Sequence, residues 1–230
     1  TSRKGIVGNI YKGKVVRVLP GMEAAFVDIG LERAAFIHAS DVVTSQQPAS
    51  EAPETPKTVP DIRTLLREGQ SLVVQVTKDP IGTKGARLTT QLSIPSRYLV
   101  FMPGVRHVGI SQRIEDETER SRLKSLVEEG AAAEPDISGG YIIRSAAEAA
   151  SEDDLIGDMT YLHRLNQAIE ERITRSQAPS VVYQDLPLFI RTIRDLIRPQ
   201  TEKVRIDSRE SHQRVMEFVE EFVTEFSDKV

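Results

Sequence analysis

The 230-residue chain contains no cysteine. That excludes disulfides, thiolate zinc sites and a cysteine nucleophile, and it agrees with a reducing compartment. No apolar run approaches the length of about eighteen residues that a membrane-spanning helix needs. The opening residues, TSRKGIVG, lack a signal-peptide pattern. A cytoplasmic protein with no membrane partner is the expectation. An excess of positive charge is missing too: 30 Lys and Arg stand against 34 Asp and Glu, a net charge of −4, whereas proteins that coat nucleic acid non-specifically are usually basic. The balance is uneven, because residues 1–38 hold six basic and three acidic side chains and residues 151–230 hold eleven and sixteen.

Catalytic constellations are also scarce. The four histidines, His38, His107, His163 and His212, fall in different predicted elements, so no Ser/His/Asp order emerges. Glu152, Asp153 and Asp154 occupy a predicted first helical turn, where acids favour the helix dipole. Asp28 and Asp79 lie at strand ends, and Glu217, Glu220, Glu221 and Glu225 share the polar face of the last helix. None forms a pair converging on a metal, so neither a catalytic nor a metal-ligating residue is assigned. Gly82-Thr-Lys-Gly85 has the wrong glycine spacing for a phosphate loop.

What the chain does have begins at Gly8. The stretch GNIYKGKVVRVLPGMEAAFVDIGLERAAFIHAS contains three runs of apolar alternation, 11–19, 23–29 and 33–38, separated by Pro-Gly and Gly-Leu turns. The spacing predicts a three-stranded meander. With Ala25, Val27 and Ile29 facing a core, Ala24, Phe26 and Asp28 face outward. In the next strand Ala35 and Ile37 point inward and Ala34, Phe36 and His38 outward. Two phenylalanines then share a face with Lys12, Lys14, Arg17 and Arg33, the combination that stacks bases and holds phosphates of a single strand. A one-residue slip would place both rings in the core instead. Further strands are predicted at 71–77 and 85–92, after a short helix capped by Asp61 with Gly69 as its stop, giving the five strands of an OB-type barrel. The intervening stretch 44–60, rich in Pro, Ser, Glu and Thr, predicts a disordered loop.

The runs Asn9-Ile-Tyr-Lys-Gly-Lys14, Pro20-Gly-Met-Glu-Ala-Ala-Phe-Val-Asp28 and Ala35-Phe-Ile-His38 resemble the S1-like domain that opens the catalytic half of the ribonuclease E/G family, in wording closer to its ribonuclease G branch. The resemblance covers essentially the whole chain. It implies an α+β, multi-domain fold: a five-stranded S1-like OB-fold β-barrel over 9–92, an α/β 5′-sensor domain over 93–186, and the C-terminal part of an RNase H-like subdomain over 187–230. Residues 1–8 would end that subdomain's truncated first segment. Single-stranded RNA, preferably 5′-monophosphorylated, is the implied partner, with Phe26, Phe36 and Lys84 as its contacts. Homo-oligomers would form through parts absent from this chain.

Beyond Ile94 the residues themselves predict a strand apolar on both faces, as in a sheet covered on both sides, a helix over 116–129 and a strand over 141–145. A long helix over about 152–175 packs through Leu155, Met159, Leu162, Leu165 and Ile169. A helix over 187–197, a strand over 203–206 and a last helix opened by Asp207 or Ser208 follow. That last helix carries the stripe Val215, Phe218, Val219, Phe222, Val223 and Phe226, which either covers a core or binds a partner. Arg144 and Ser145 offer a planar fork and a hydroxyl at a strand end, suited to a phosphate.

The family places its phosphate pocket there, with Val100 and the amide of a glycine where this chain has Ser96. An arginine pair of the pattern is Gln112 and Arg113 here, one cation fewer. Its Mg²⁺-dependent catalytic aspartates lie in a subdomain beyond the matched region, so no cofactor belongs to this segment. The sequence therefore points to the RNA-recognition half of a ribonuclease G-like endoribonuclease, non-cleaving by itself. A non-catalytic OB-fold RNA-binding regulator is the alternative, and a protein-interaction module built on the last helix is a third.

Overall fold

The computed structural model describes residues 5–43, 60–134, 138–197 and 200–230. The predicted loop 44–60, apart from Pro60, and the first four residues of the 1–8 segment lie outside them.

The meander forms as β1 (Ile10–Leu19), β2 (Ala24–Asp28) and β3 (Ala35–His38). After α1 (Ile62–Leu65) come β4 (Ser71–Lys78) and β5 (Arg87–Thr89). The strands follow the order β1-β2-β3-β5-β4, and β4 pairs back onto β1, closing a five-stranded barrel with no free edge. Only the β3–β5 pairing is parallel. Ala25, Val27, Ile29, Ala35 and Ile37 are all buried inside it with Val15, Val74, Val76 and Leu88. The predicted register therefore holds.

Ala24 departs from the alternation: it is fully buried, its small methyl sitting between its register partners Leu19 and His38. α1 is shorter than predicted. Asp61 caps it, accepting from the Arg63 amide, but the chain leaves the helix at Leu66 and Gly69 serves a later turn at positive φ.

The second unit is built on β6 (Ile94–Pro95), β7 (Leu99–Pro103), β8 (Val108–Ile110) and β9 (Gly139–Ile143), in the order β6-β7-β9-β8. β8 runs parallel to β9 and the other pairings are antiparallel. The sequence showed one strand where β6 and β7 form a hairpin, and β8 was not predicted. Leu99, Phe101, Tyr141 and Ile143 bury one face of this sheet in a core shared with α2 (Glu117–Ala133) and α3 (Glu152–Arg175). The opposite face is partly open, with Val100 half-buried and Ile142 exposed, so the expectation of a sheet covered on both sides is corrected. Gly139 and Gly140 are required in β9, because a Cβ would lie 2.0 Å from the Phe101 ring and 2.3 Å from the His107 carbonyl.

Ser151 and Asp154 form a reciprocal capping box that starts α3, whose five predicted apolar positions are all buried. α4 (Leu188–Leu196) and α5 (Arg209–Phe222) complete the same core, α5 capped by Ser208. Val215, Phe218, Val219 and Phe222 are buried, and the rings of Phe218 and Phe222 lie 6.1 and 6.3 Å from that of Tyr161 on α3. The stripe thus covers this chain's own core, which overturns its reading as an exposed partner surface. The predicted strand 203–206 does not form; the segment makes one backbone bond, from the Val204 amide to the Lys229 carbonyl, at 2.7 Å.

The two units are tied together. β10 (Ser180–Tyr183), which falls within the expected sensor range 93–186, pairs with β1 of the barrel as a sixth strand. The Asp185 amide donates to the buried Asn9 side chain, and Gln75 bonds the Gly8 and Ser93 carbonyls. Lys12 reaches the Ile173 and Ser176 carbonyls at 2.9 and 2.8 Å. Its ammonium therefore caps the C-terminus of α3, where carbonyls lack helical partners, and is not part of the aromatic face as the sequence suggested.

Candidate nucleic-acid interface

The outer face of the barrel carries one continuous cross-strand row. Arg17 on β1 is the register partner of Phe26 on β2, Phe26 of Phe36 on β3, Phe36 of Arg87 on β5, and Arg87 of Lys78 on β4. The neighbouring pair Ile37 and Leu88 is fully buried, so Phe36 and Arg87 share the opposite, outward face. Both rings are half-buried, with centroids 6.4 Å apart at 65°. Each ring is partly covered and partly open to solvent. At that angle two bases cannot stack on each other while each stacks on its own ring, which suits an unpaired strand.

Cations surround the rings. Arg87 bonds Asp41 through Nε at 3.0 Å and Nη2 at 2.8 Å. Lys84 is exposed at the tip of the β4–β5 turn, where Ile81 and Lys84 exchange backbone bonds. That tip is fixed in two ways: Arg33 donates to the Gly82 carbonyl, and Gly85 lies so close to the Ala34 carbonyl that a Cβ would be 2.0 Å from it. Lys84 therefore sits beside the start of β3, next to the row. Arg87 and Lys78 were missed by sequence reasoning. Their outward alternation was visible, but the parallel β3–β5 pairing that brings Arg87 against Phe36 has no local signal.

A second cluster forms at one end of the four-stranded sheet. Because β8 and β9 are parallel, the turn after β8 lies beside the residues after β9, and the β6–β7 turn lies at the same end. Ser96, Gln112, Arg113, Arg144 and Ser145 are brought together there, with Val100 one step inside on β7. The Ser111 amide bonds the Ile143 carbonyl at 2.8 Å, and Arg120 holds the 111–114 turn through the Ser111 and Ile114 carbonyls, both at 3.0 Å. Gln112 and Arg113 are exposed; Ser145 and Val100 are half-buried.

Arg144 donates from Nη1 to the Ser96 carbonyl and, at 3.1 Å, to the Arg97 carbonyl. Nε and Nη2 make no protein hydrogen bond among the described residues, so a two-pronged edge is left for an anion. Ser96 does not play the part expected of it. Its amide donates to the Leu99 carbonyl at 2.8 Å and its hydroxyl to Asp158, so a turn, not a ligand, takes up that N–H. Asp158 organises this turn, accepting also from the Tyr98 and Leu99 amides at 2.9 Å. Burial pushes its carboxyl upward, and the same hydrogen bonds pull the other way.

Glu119 on α2 supports the adjoining loop. It pairs with Arg122 and accepts from the Ala149 amide at 2.9 Å, which holds its carboxyl at about 2.

No group of three or more His, Cys, Asp or Glu side chains suited to a metal ion occurs among the described residues. No helix there is long and apolar enough to cross a membrane.

Comparison with known proteins agrees with this layout. The S1 RNA binding domain profile matches residues 4–89, and that of the Ribonuclease E/G family matches residues 93–230. The chain is 52% identical over 229 residues to Ribonuclease G of Salmonella typhimurium (strain SL1344) and 51% identical to that of Escherichia coli (strain K12), matching all of this chain and 46% of each relative. Ribonuclease E of Nostoc sp. (strain PCC 7120) is 35% identical over 215 residues, 93% of this chain and 30% of that protein. The chain thus spans about half the length of the ribonuclease G sequences it resembles. An S1-type barrel with an aromatic and basic outer face, joined to a unit that matches the family over all of its length, identifies the chain as a member of the ribonuclease E/G family.

Proposed function

We propose that this chain is the RNA-recognition part of a ribonuclease G-like endoribonuclease that cleaves single-stranded RNA. The observation that carries the reading is the Arg17–Phe26–Phe36–Arg87–Lys78 row, two half-buried rings bracketed by cations on a closed barrel. Bases stack on the rings and phosphates pair with the cations, in a mode that tolerates sequence. Lys84 adds a cation at the edge.

The cluster at the end of the sheet is the 5′ sensor in this reading. A terminal monophosphate has more free oxygens than an internal phosphate and carries extra charge near neutral pH, so Arg144's free edge and the Ser145 hydroxyl discriminate it. Arg113 supplies further positive charge. Gln112 makes the pocket less cationic than the family pattern, and Ser96, its N–H taken up by the Leu99 carbonyl, contributes its own carbonyl, which seats Arg144. The Mg²⁺ implied for the family finds no ligand set among the described residues, so no cleavage step is assigned to this chain.

Matched titrations of 5′-monophosphate, 5′-hydroxyl and 5′-triphosphate forms of one single-stranded RNA, at fixed salt, test the reading. The monophosphate form binds most tightly, and Arg144→Ala abolishes the difference, worth about 1.5–3 kcal/mol for a charged hydrogen bond, while barrel-dependent binding persists. Equal affinities for all three ends, unchanged by the substitution, would contradict the sensor.

A further inference from the structure

The register of the barrel aligns more than the two rings. Phe26, Phe36 and Arg87 occupy the same cross-strand row on three successive strands, β2, β3 and β5, which lie about 4.8 Å apart. Arg87 is an unusual surface arginine. Its side chain is 43% exposed, yet Nε and Nη2 both grip the same Asp41 oxygen. Asp41 is anchored in turn: its backbone carbonyl accepts from the Thr90 amide and the Thr89 hydroxyl, both at 3.0 Å. The guanidinium is thus held along one edge by a fixed carboxylate, which restricts its rotation. The Nη1 group makes no protein hydrogen bond among the described residues. A planar, delocalised cation beside an aromatic ring is a stacking surface for a base as well as a phosphate donor.

We infer that the barrel face is a three-nucleotide platform running across the strands, in which Phe26, Phe36 and the guanidinium plane of Arg87 each stack one base, with Asp41 as the residue that positions that plane. This rests on the proposed reading of the barrel face as the RNA site and specifies its length and third member. Arg17 and Lys78, at the two ends of the row, then serve the backbone phosphates. A guanidinium has two broad faces and no base-specific edge in this role, so the third position tolerates all four bases, like the first two.

Competition by oligouridylates of two, three and four nucleotides against a labelled longer oligouridylate, at fixed salt with the 230-residue chain, reads the platform directly. The wild-type chain gains affinity when the competitor grows from two nucleotides to three. Arg87→Ala removes that step and weakens the longer strand about fivefold. Arg87→Lys keeps the charge and the Asp41 ion pair but lacks the plane, so it too loses the step; thermal melts of both variants separate binding from folding. A lysine variant that retains the full length step shows that only charge matters at position 87 and overturns the third stacking site. So does an alanine variant with an unchanged step. If Phe26→Ala and Phe36→Ala also leave binding unchanged, the barrel-face reading itself fails, a result distinct from failure at Arg87 alone.

Discussion

Removing the Asp158 carboxylate is the sharpest test of how the β6–β7 turn is built. That carboxylate accepts three hydrogen bonds, from the Ser96 hydroxyl and the Tyr98 and Leu99 amides. Ser96 and Leu99 are fully buried and Tyr98 nearly so. Asp158→Ala therefore orphans two backbone donors in a largely dry place, while the Ser96 hydroxyl turns to the Leu99 carbonyl at 2.9 Å. At about 1–3 kcal/mol for each unsatisfied buried group, less what entering water recovers, the substitution destabilises the chain by about 3 kcal/mol. All three donors meet the one oxygen Oδ2, so Asp158→Asn keeps an acceptor for them and costs less, about 1 kcal/mol.

The pH dependence has a definite sign. Burial raises the carboxyl in the folded state above its ordinary value of 3.8, so its contribution is complete below that value and declines as pH rises through the folded value. The wild-type advantage over Asp158→Asn is accordingly larger in acid than at neutral pH. Urea denaturation followed by circular dichroism, repeated across that range, measures both quantities. An alanine variant within about 0.5 kcal/mol of wild type, the range of an ordinary surface change, would refute the reasoning.

Two further outcomes follow from other parts of the site. Glu119→Gln loosens the Ala149 loop and destabilises by about 1–2 kcal/mol near neutrality. Because Arg122 and the Ala149 amide hold the Glu119 carboxyl at about 2, below its ordinary 4.5, its contribution is complete above 4.5 and lost as pH falls toward 2. Denaturation midpoints for the two proteins should converge over that window, and parallel curves would contradict the assignment. Lys84→Ala lowers affinity for single-stranded RNA of any sequence and reduces the slope of log affinity against log salt by about one, with no change in melting temperature; an unaltered slope removes Lys84 from the interface.

The barrel face was legible in the sequence because its information is local. Period-2 alternation around Ala25, Val27, Ala35 and Ile37 decides which way Phe26 and Phe36 face, and a one-residue slip would have buried both rings. What pairs with β3 was not local. The β3–β5 contact joins residues about fifty positions apart, so Arg87's place beside Phe36 could be read only from the closed barrel. Lys12 shows the same limit from the other side: its alternation marks an outward lysine, while its partner, the end of α3, lies 161 to 164 residues away. At the end of the second sheet the residue types at 144 and 145 indicated phosphate chemistry. The unpredicted strand β8, only three residues long, is what places Gln112 and Arg113 beside them. Ser96 was misjudged because a serine in a Pro-Ser-Arg turn gives no sign that a carboxylate on a helix sixty residues later will claim it.

In the proposed function, Phe26 and Phe36 hold single-stranded RNA on the outside of a barrel whose stability does not depend on their rings. One measurement tests it most directly: the affinity of the double variant Phe26→Ala/Phe36→Ala for a single-stranded oligonucleotide at fixed salt, taken beside its thermal melt. Each ring contributes about 1–3 kcal/mol of base stacking, so the expected loss is about 2–6 kcal/mol in binding with a nearly unchanged melting temperature. A variant that still binds like wild type, or one that unfolds because both rings were core, would contradict it.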